Sequence, residues 1–144
     1  MIRVQWITQA DPAYAGERDL RYRLLRAPIG MPRGSEENRD EAACRHVVAL
    51  DGADQVVGCL IFRRDDATRG QLMQMAVDPS VHGSGVGRAV VESLEATMAA
   101  EGLKTIYLHA RETAVGFYEK LGYTVYGEPY DEVGIPHRDM HRQI

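Results

Sequence analysis

The feature that most constrains this chain is the segment His82-Gly83-Ser84-Gly85-Val86-Gly87-Arg88, which sets three glycines two apart between apolar runs of different period. Upstream, Gln71 to Val77 is apolar on both faces, as a buried central strand must be. Downstream, Val86, Val90, Leu94 and Met98 recur every four residues. That spacing predicts an amphipathic helix from about Gly85 to Glu101, with Gly102 standing at C′. Thr105 to Ala110 reads as a further strand. Strand, glycine loop, helix and strand make one βαβ unit, so at least one strand pair must be parallel.

A helix start leaves its first N–H groups unpaired and carries partial positive charge, which favours an anion. Glycines at 83, 85 and 87 remove Cβ atoms that would hold a phosphate away, and they admit unusual backbone angles. The loop therefore reads as a backbone cradle for a pyrophosphate; the bland alternative is a turn that packs strand against helix. A P-loop needs Gly-Lys followed by Ser or Thr, whereas Gly87 is followed by Arg88-Ala89. The dinucleotide pattern G-x-G-x-x-G fails in both frames, because its last position falls on Arg88 or Val90. The next strand also ends in His109-Ala110-Arg111, without an acid for a ribose.

Elsewhere, Ile2 to Ile7 reads as a strand. Asp11-Pro12 reads as an N-cap with proline at N1, so a helix is expected to run to about Arg26 and stop before Pro28. Ala27 to Asp40 has loop composition and a length common in binding lids. His46–Leu50 and Val56–Phe62 form a hairpin around Asp51-Gly52-Ala53-Asp54. Ala114, Phe117, Tyr118 and Leu121 fit a short amphipathic helix ended by Gly122. Tyr123–Tyr126 and Pro136–His141 read as closing strands. The expectation is one α+β domain over residues 1–144, with a mixed sheet.

Composition limits what such a domain does. The 144 residues are 44% hydrophobic and 26% charged, the profile of a globular protein in water, and the formal charge of −4 argues against nucleic acid as a partner. No apolar run approaches the roughly 18 residues of a membrane span, and the first residues lack a signal pattern, so a cytoplasmic, membrane-free protein is expected. The arginines between Arg18 and Arg26, interrupted by acids, read as a solvated helix face. Glu36, Glu37, Asp40 and Glu41 read likewise, with attraction of a cationic amine as their functional alternative. Cys44 and Cys59 lack metal-ligand spacing and read as buried strand residues. The side chains of Met73 and Met75 read as core.

With the nucleotide frames excluded, His82-Gly83-Ser84-Gly85-Val86-Gly87 resembles the phosphate loop of the GCN5-related N-acetyltransferase (GNAT) family, Gln/Arg-x-x-Gly-x-Gly/Ala, with His at the first position. Met75-Ala76-Val77-Asp78-Pro79 resembles the family's fourth strand and its exit. Ala114-Val115-Gly116-Phe117-Tyr118-Glu119-Lys120-Leu121-Gly122-Tyr123 resembles the helix carrying its catalytic tyrosine, and Arg111 stands where many members have Asn. The resemblance covers roughly Val56 to Tyr126. Less specifically, Leu25-Arg26-Ala27-Pro28, Asp40-Glu41 and Gly134-Ile135-Pro136-His137 look like features of a prokaryotic subgroup of small acetyltransferases.

The resemblance implies a GNAT-like fold, a mostly antiparallel sheet with helices on both faces, and attack of an amine on the thioester of acetyl-coenzyme A, with no metal. It implies cofactor contacts from Met75, Ala76, Val77, His82, Gly83, Ser84, Gly85, Val86, Gly87, Arg88, Phe117 and Tyr118. A backbone N–H at a strand bulge, mapped to Ala76 or Val77, would stabilise the oxyanion. Tyr118 would protonate the departing thiolate, although periodicity alone makes it a packing residue. His109 is the candidate base, against a plain strand histidine or a water chain. Glu128, Glu132 and His137 lie where the family often builds its acceptor site but read as surface or structural residues. His137 and His141 do not make a metal pair, because a strand separates i and i+4 by about 13 Å. The acceptor is expected to be a small amine, an aminoacyl group or a peptide N-terminus, held between the 27–40 loop and the segment after Tyr126. The chain would be a monomer or a homodimer. The competing readings are a non-catalytic acyl-coenzyme A-binding sensor and a nucleotide-dependent enzyme.

Overall fold

The computed structural model describes residues Met1–Ile144. Apolar runs, near-continuous in the second and third, build four antiparallel strands at the start of the sheet: β1 (Arg3–Ile7), β2 (Arg45–Leu50), β3 (Val56–Arg64) and β4 (Arg69–Val77). The chain then crosses over through helix α2 (Val86–Ala100) to β5 (Thr105–Arg111), which pairs with β4 in parallel. Helix α3 (Val115–Lys120) follows, and the hairpin β6 (Thr124–Glu132) and β7 (Ile135–Gln143) completes the sheet. The order is β1-β2-β3-β4-β5-β7-β6, so only β4 and β5 run parallel and the fold is the expected mixed α+β arrangement.

Helices cover both faces. Along β2, Val47 and Ala49 point to one face and Val48 and Leu50 to the other. On the first face, Val86, Val90, Val91, Leu94 and Met98 of α2 meet Leu60, Phe62 and Ile106, each large side chain contributing about 1.5–3 kcal/mol by burial. Leu20 of α1 (Tyr14–Arg21) packs on the opposite face against Ile7, Val56, Cys59 and Ala76. Helix α2 ends as expected: Gly102, at φ 90°, sends its N–H to Ala99 while Leu103 bonds Met98.

The N-terminal helix differs from expectation in detail. Its regular part begins at Tyr14, because the Asp11 carboxylate accepts the N–H of Ala13 in a turn before the helix. From Tyr22 to Arg26 it widens into a π-turn, then tightens into a single 3₁₀ turn at Ala27–Ile29. The closing strands are longer than predicted. They meet at Val133-Gly134, where both residues have positive φ (50° and 75°), the geometry of a two-residue type I′ hairpin turn. Valine is a poor residue for that position, which explains why the turn carried no sequence signal.

Two irregularities in the centre position the site. Between Ile61↔Met73 and Cys59↔Ala76, β3 sets Leu60 alone against Gln74 and Met75, so β4 carries a bulge, with Gln74 at φ 47°. The β4–β5 ladder also stops at Leu72↔Leu108 although both strands continue. Beyond that point the sheet opens into a wedge.

Candidate active site

A cleft of ≈ 620 Å³ lies on the α2 side of this wedge. It is lined by Met75 and Val77 of β4, by His82, Gly83, Gly85, Val86, Gly87 and Arg88 of the glycine loop and α2, and by Ala114, Phe117, Tyr118 and Lys120 around α3. The structure thus brings together ten of the twelve residues expected to touch a cofactor. Lys120, an exposed cation at the same wall, was not anticipated.

The loop works through its backbone. Gly83 and Gly85 have φ of 79° and 86°, values that L side chains disfavour, and Gly85 sits at the N-cap of α2 without a capping side chain. The helical ladder begins with Ala89 N–H to Gly85, leaving the amides of Val86, Gly87 and Arg88 without a protein partner. Gly87 has a different task from the one expected. A Cβ there would lie 3.0 Å from the Phe117 ring and 3.4 Å from Val77, so this glycine lets the ring close against α2.

Two of the twelve, Ala76 and Ser84, do not line this cleft. Asp78 donates its N–H to Val57 of β3, and strand alternation then turns the Ala76 amide toward β3 as well. The amides of Met75 and Val77 are the ones facing the wedge. Ala76 is a buried packing residue under α1, and the bulge lies at Gln74–Met75 instead of Ala76 or Val77. The Ser84 hydroxyl donates to the Val81 carbonyl within its own loop. His82 Nε2 lies 2.9 Å from the Val77 carbonyl, so the imidazole ties the loop to the strand end.

Tyr118 is 6% exposed, edge-packed on Phe117 and Tyr123, and its hydroxyl bonds to no protein group. Burial raises its pKa above the ordinary phenol value, which keeps the proton on the oxygen at neutral pH. With Met75 and Ala114, Tyr118 also lines a second cleft of ≈ 560 Å³ on the other side of the wedge. That second cleft takes Leu25, Arg26 and Asn38 from the N-terminal segment, and Glu132, Val133 and His137 from the β6–β7 hairpin. Of the two segments expected to surround an acceptor, the 27–40 loop contributes Asn38 and the segment after Tyr126 contributes Glu132, Val133 and His137. Met73 and Met75 are half-buried and line this cleft, and Met75 also packs against the core.

His109 is also there, 3.6 Å from Glu132 and 3.7 Å from Asp139. Glu132 reaches His137 at 3.5 Å, and the Nδ1 of that buried histidine lies 2.7 Å from the Ile135 carbonyl. Glu128 is exposed and lines neither cleft. Arg26 and Arg111 line the same cleft, donating respectively to the Ser35 and Leu25 carbonyls. Burial lowers the pKa of both, an arginine neighbour lowers each further (Arg21 for Arg26, and Arg26 for Arg111), and the Glu132 charge offsets part of this at both.

The expected solvated faces prove to be partly interior. Arg21 is fully buried, donating to Glu17 (2.8 Å), Glu41 (2.9 Å) and the Gln74 side chain at the bulge (3.0 Å). Glu36 is buried too, paired with Arg18. His46 adds Nδ1 at 3.0 Å from Glu17. The ligand atoms of Glu17, Glu41 and His46 lie within 4.8 Å of one another, but the Arg21 guanidinium already bridges both carboxylates as their cation. Helical spacing carried the missed signal: Glu17, Leu20, Arg21 and Leu24 share one face, so opposite charges i, i+4 occupy core positions. Cys44, one residue before β2, and Cys59 are free and buried, and burial pushes the Cys44 thiol up to about 11. No helix is long and apolar enough to cross a membrane.

Comparison with known proteins places this geometry. The model of a family described as Acetyltransferase (GNAT) matches residues 5–123. An N-acetyltransferase of Bacillus subtilis (strain 168), YjcF, is 34% identical over 111 residues, covering 76% of this chain and 78% of that protein. A crystal structure from Lactobacillus plantarum, described as an N-acetyltransferase, superposes with a TM-score of 0.86 at 26% identity over 99% of this chain and 97% of that one. An aminoglycoside 6′-N-acetyltransferase complexed with coenzyme A shares the fold, with a TM-score of 0.81 at 22% identity over 98% of this chain and 96% of that one.

Proposed function

The chain belongs to the acetyltransferase (GNAT) family and is an acyltransferase, and we propose that it moves an acetyl group from acetyl-coenzyme A to a primary amine by direct attack. One observation carries this reading: Tyr118 and Met75 form the wall shared by two clefts that enter the wedge from opposite sides. A single hydroxyl and a single backbone edge there face both a donor and an acceptor. A module that only binds an acyl-coenzyme A has no need of the second cleft.

The residues present fit coenzyme A. The unpaired amides of Val86, Gly87 and Arg88, at the positive end of α2, suit a pyrophosphate. The β4 edge at Met75 and Val77 offers N–H and C=O groups to the amides of a pantetheine arm, as a further strand would. Acetyl-coenzyme A supplies the activated acyl group; the protein's own groups do the rest. The Met75 amide, fixed by the bulge, donates to oxygen as negative charge develops on the thioester carbonyl. Tyr118 gives its proton to the departing sulfur. On the acceptor side, Glu132 with His109 and His137 forms a polar relay that can take a proton from the acceptor ammonium, directly or through water, so that the free amine attacks.

Replacing Tyr118 with Phe tests the assignment. Turnover is expected to fall about 10²–10⁴-fold, the usual contribution of a positioned acid, while calorimetry gives an unchanged Kd for acetyl-coenzyme A. Parallel losses in turnover and binding contradict the acid role.

A further inference from the structure

We infer that the acceptor is an amine carrying an oxyanion group, a carboxylate or a phosphate, which Arg26 and Arg111 receive in the second cleft. The inference rests on the acetyltransferase reading and adds the substrate class.

The two guanidiniums line that cleft, and each is anchored by one backbone carbonyl. Neither has a carboxylate within ion-pair distance, whereas every other arginine except Arg69 and Arg138 does. The acids that sequence reading set beside the loop for a cationic acceptor are engaged elsewhere. Glu36 is held by Arg18, Glu41 by Arg21, and Asp40 by Arg63 at 3.2 Å. The carboxylate that does line the cleft, Glu132, stands between His109 and His137, and its charge reaches both arginines without forming an ion pair with either.

Two half-buried cations side by side repel one another and lose hydration, and an anion between them relieves both effects. Guanidinium forks suit the paired oxygens of a carboxylate or phosphate. The cleft therefore carries both signs of charge. Arg26 and Arg111 would hold the anionic end, and Glu132 with the histidines would meet the amine. A polycationic acceptor would have to bring its extra charges against Arg26 and Arg111.

The test uses matched acceptors: amino acids, their carboxamides, the corresponding decarboxylated amines, and aminoalkyl phosphates, assayed by initial-rate thiol release from acetyl-coenzyme A. Wild-type kcat/KM is expected to be at least tenfold higher for a carboxylate or phosphate form than for its neutral counterpart, and the two anionic arms distinguish the sources. In Arg26→Gln and Arg111→Gln the preference should collapse toward unity, and Arg26→Lys should restore part of it. The calorimetric Kd for acetyl-coenzyme A should stay within twofold of wild type in all three, and melting temperatures report that each is folded. Equal or better use of neutral amines or diamines by the wild type overturns the inference, as does a preference that survives both glutamine variants. Acetyl-coenzyme A binding with no use of any anionic acceptor also overturns it. Failure to bind acetyl-coenzyme A at all instead defeats the acetyltransferase reading beneath it.

Discussion

At the scale of single residues, small chemical facts decide what each position does. Gly87 belongs to a phosphate-loop pattern, yet its missing Cβ makes room for Phe117. Val133 shows a local conflict: a β-branched residue at φ 50°, 52% exposed, in the turn that sets Glu132 and His137 on the second cleft. Left-handed backbone costs an L residue roughly 1–2 kcal/mol, and Asn tolerates it better. Val133→Asn is expected to stabilise the fold by about 1 kcal/mol, read as a higher urea midpoint with an unchanged m-value. A lower midpoint would show that valine makes contacts outweighing the strain.

Elements show how charge inside the protein supports the site. Helix α1 presents Glu17 and Arg21 to the interior, and Arg21 reaches the Gln74 side chain on the β4 bulge. The bulge is thereby clamped from behind, next to the amide that Met75 turns toward the wedge. Arg21→Met would leave Glu17 and Glu41 buried without their cation, and a loss of about 3–5 kcal/mol is expected in denaturant unfolding. A loss below 1 kcal/mol would mean that the two acids find other partners.

The same network gives the fold a pH dependence. Burial acts to lower the pKa of His46, but the hydrogen bond and charge of Glu17, with help from Glu41, more than offset it, and the net shift is upward from 6.5. A raised folded value means that protonated His46 contributes stability in full below about pH 6.5. That contribution is lost as pH rises through the folded-state pKa. Thermal unfolding from pH 6 to 9 should show the decline, and His46→Gln should flatten it. An identical slope in the variant would assign the dependence to other groups.

Taken as a whole, the molecule divides into parts that were legible from sequence and parts that were not. The βαβ unit, both helix-ending glycines and the Phe117-Tyr118 helix rest on local periodicity and turn chemistry, and all appear where expected. The ion network was not legible, because arginines and glutamates on one helix look like a solvated face until tertiary packing buries them. Nor was the choice among Met75, Ala76 and Val77, since only the strand register shows which amides turn toward β3. The anion-lacking arginine pair likewise arises from residues 85 positions apart in sequence, joined by the bond from Arg111 to the Leu25 carbonyl. The proposed transfer depends on the open wedge, where β4 and β5 part and two clefts share Tyr118 in their lining.

If the wedge passes an acyl group from one cleft to the other, thiol release from acetyl-coenzyme A requires an amine. Followed with and without an acceptor, while mass spectrometry counts the N-acetylated product, release should be negligible without amine and should yield one acetylated amine per thiol with it. Thiol release that proceeds equally without amine, or tight acetyl-coenzyme A binding with no product from any amine offered, would contradict that transfer.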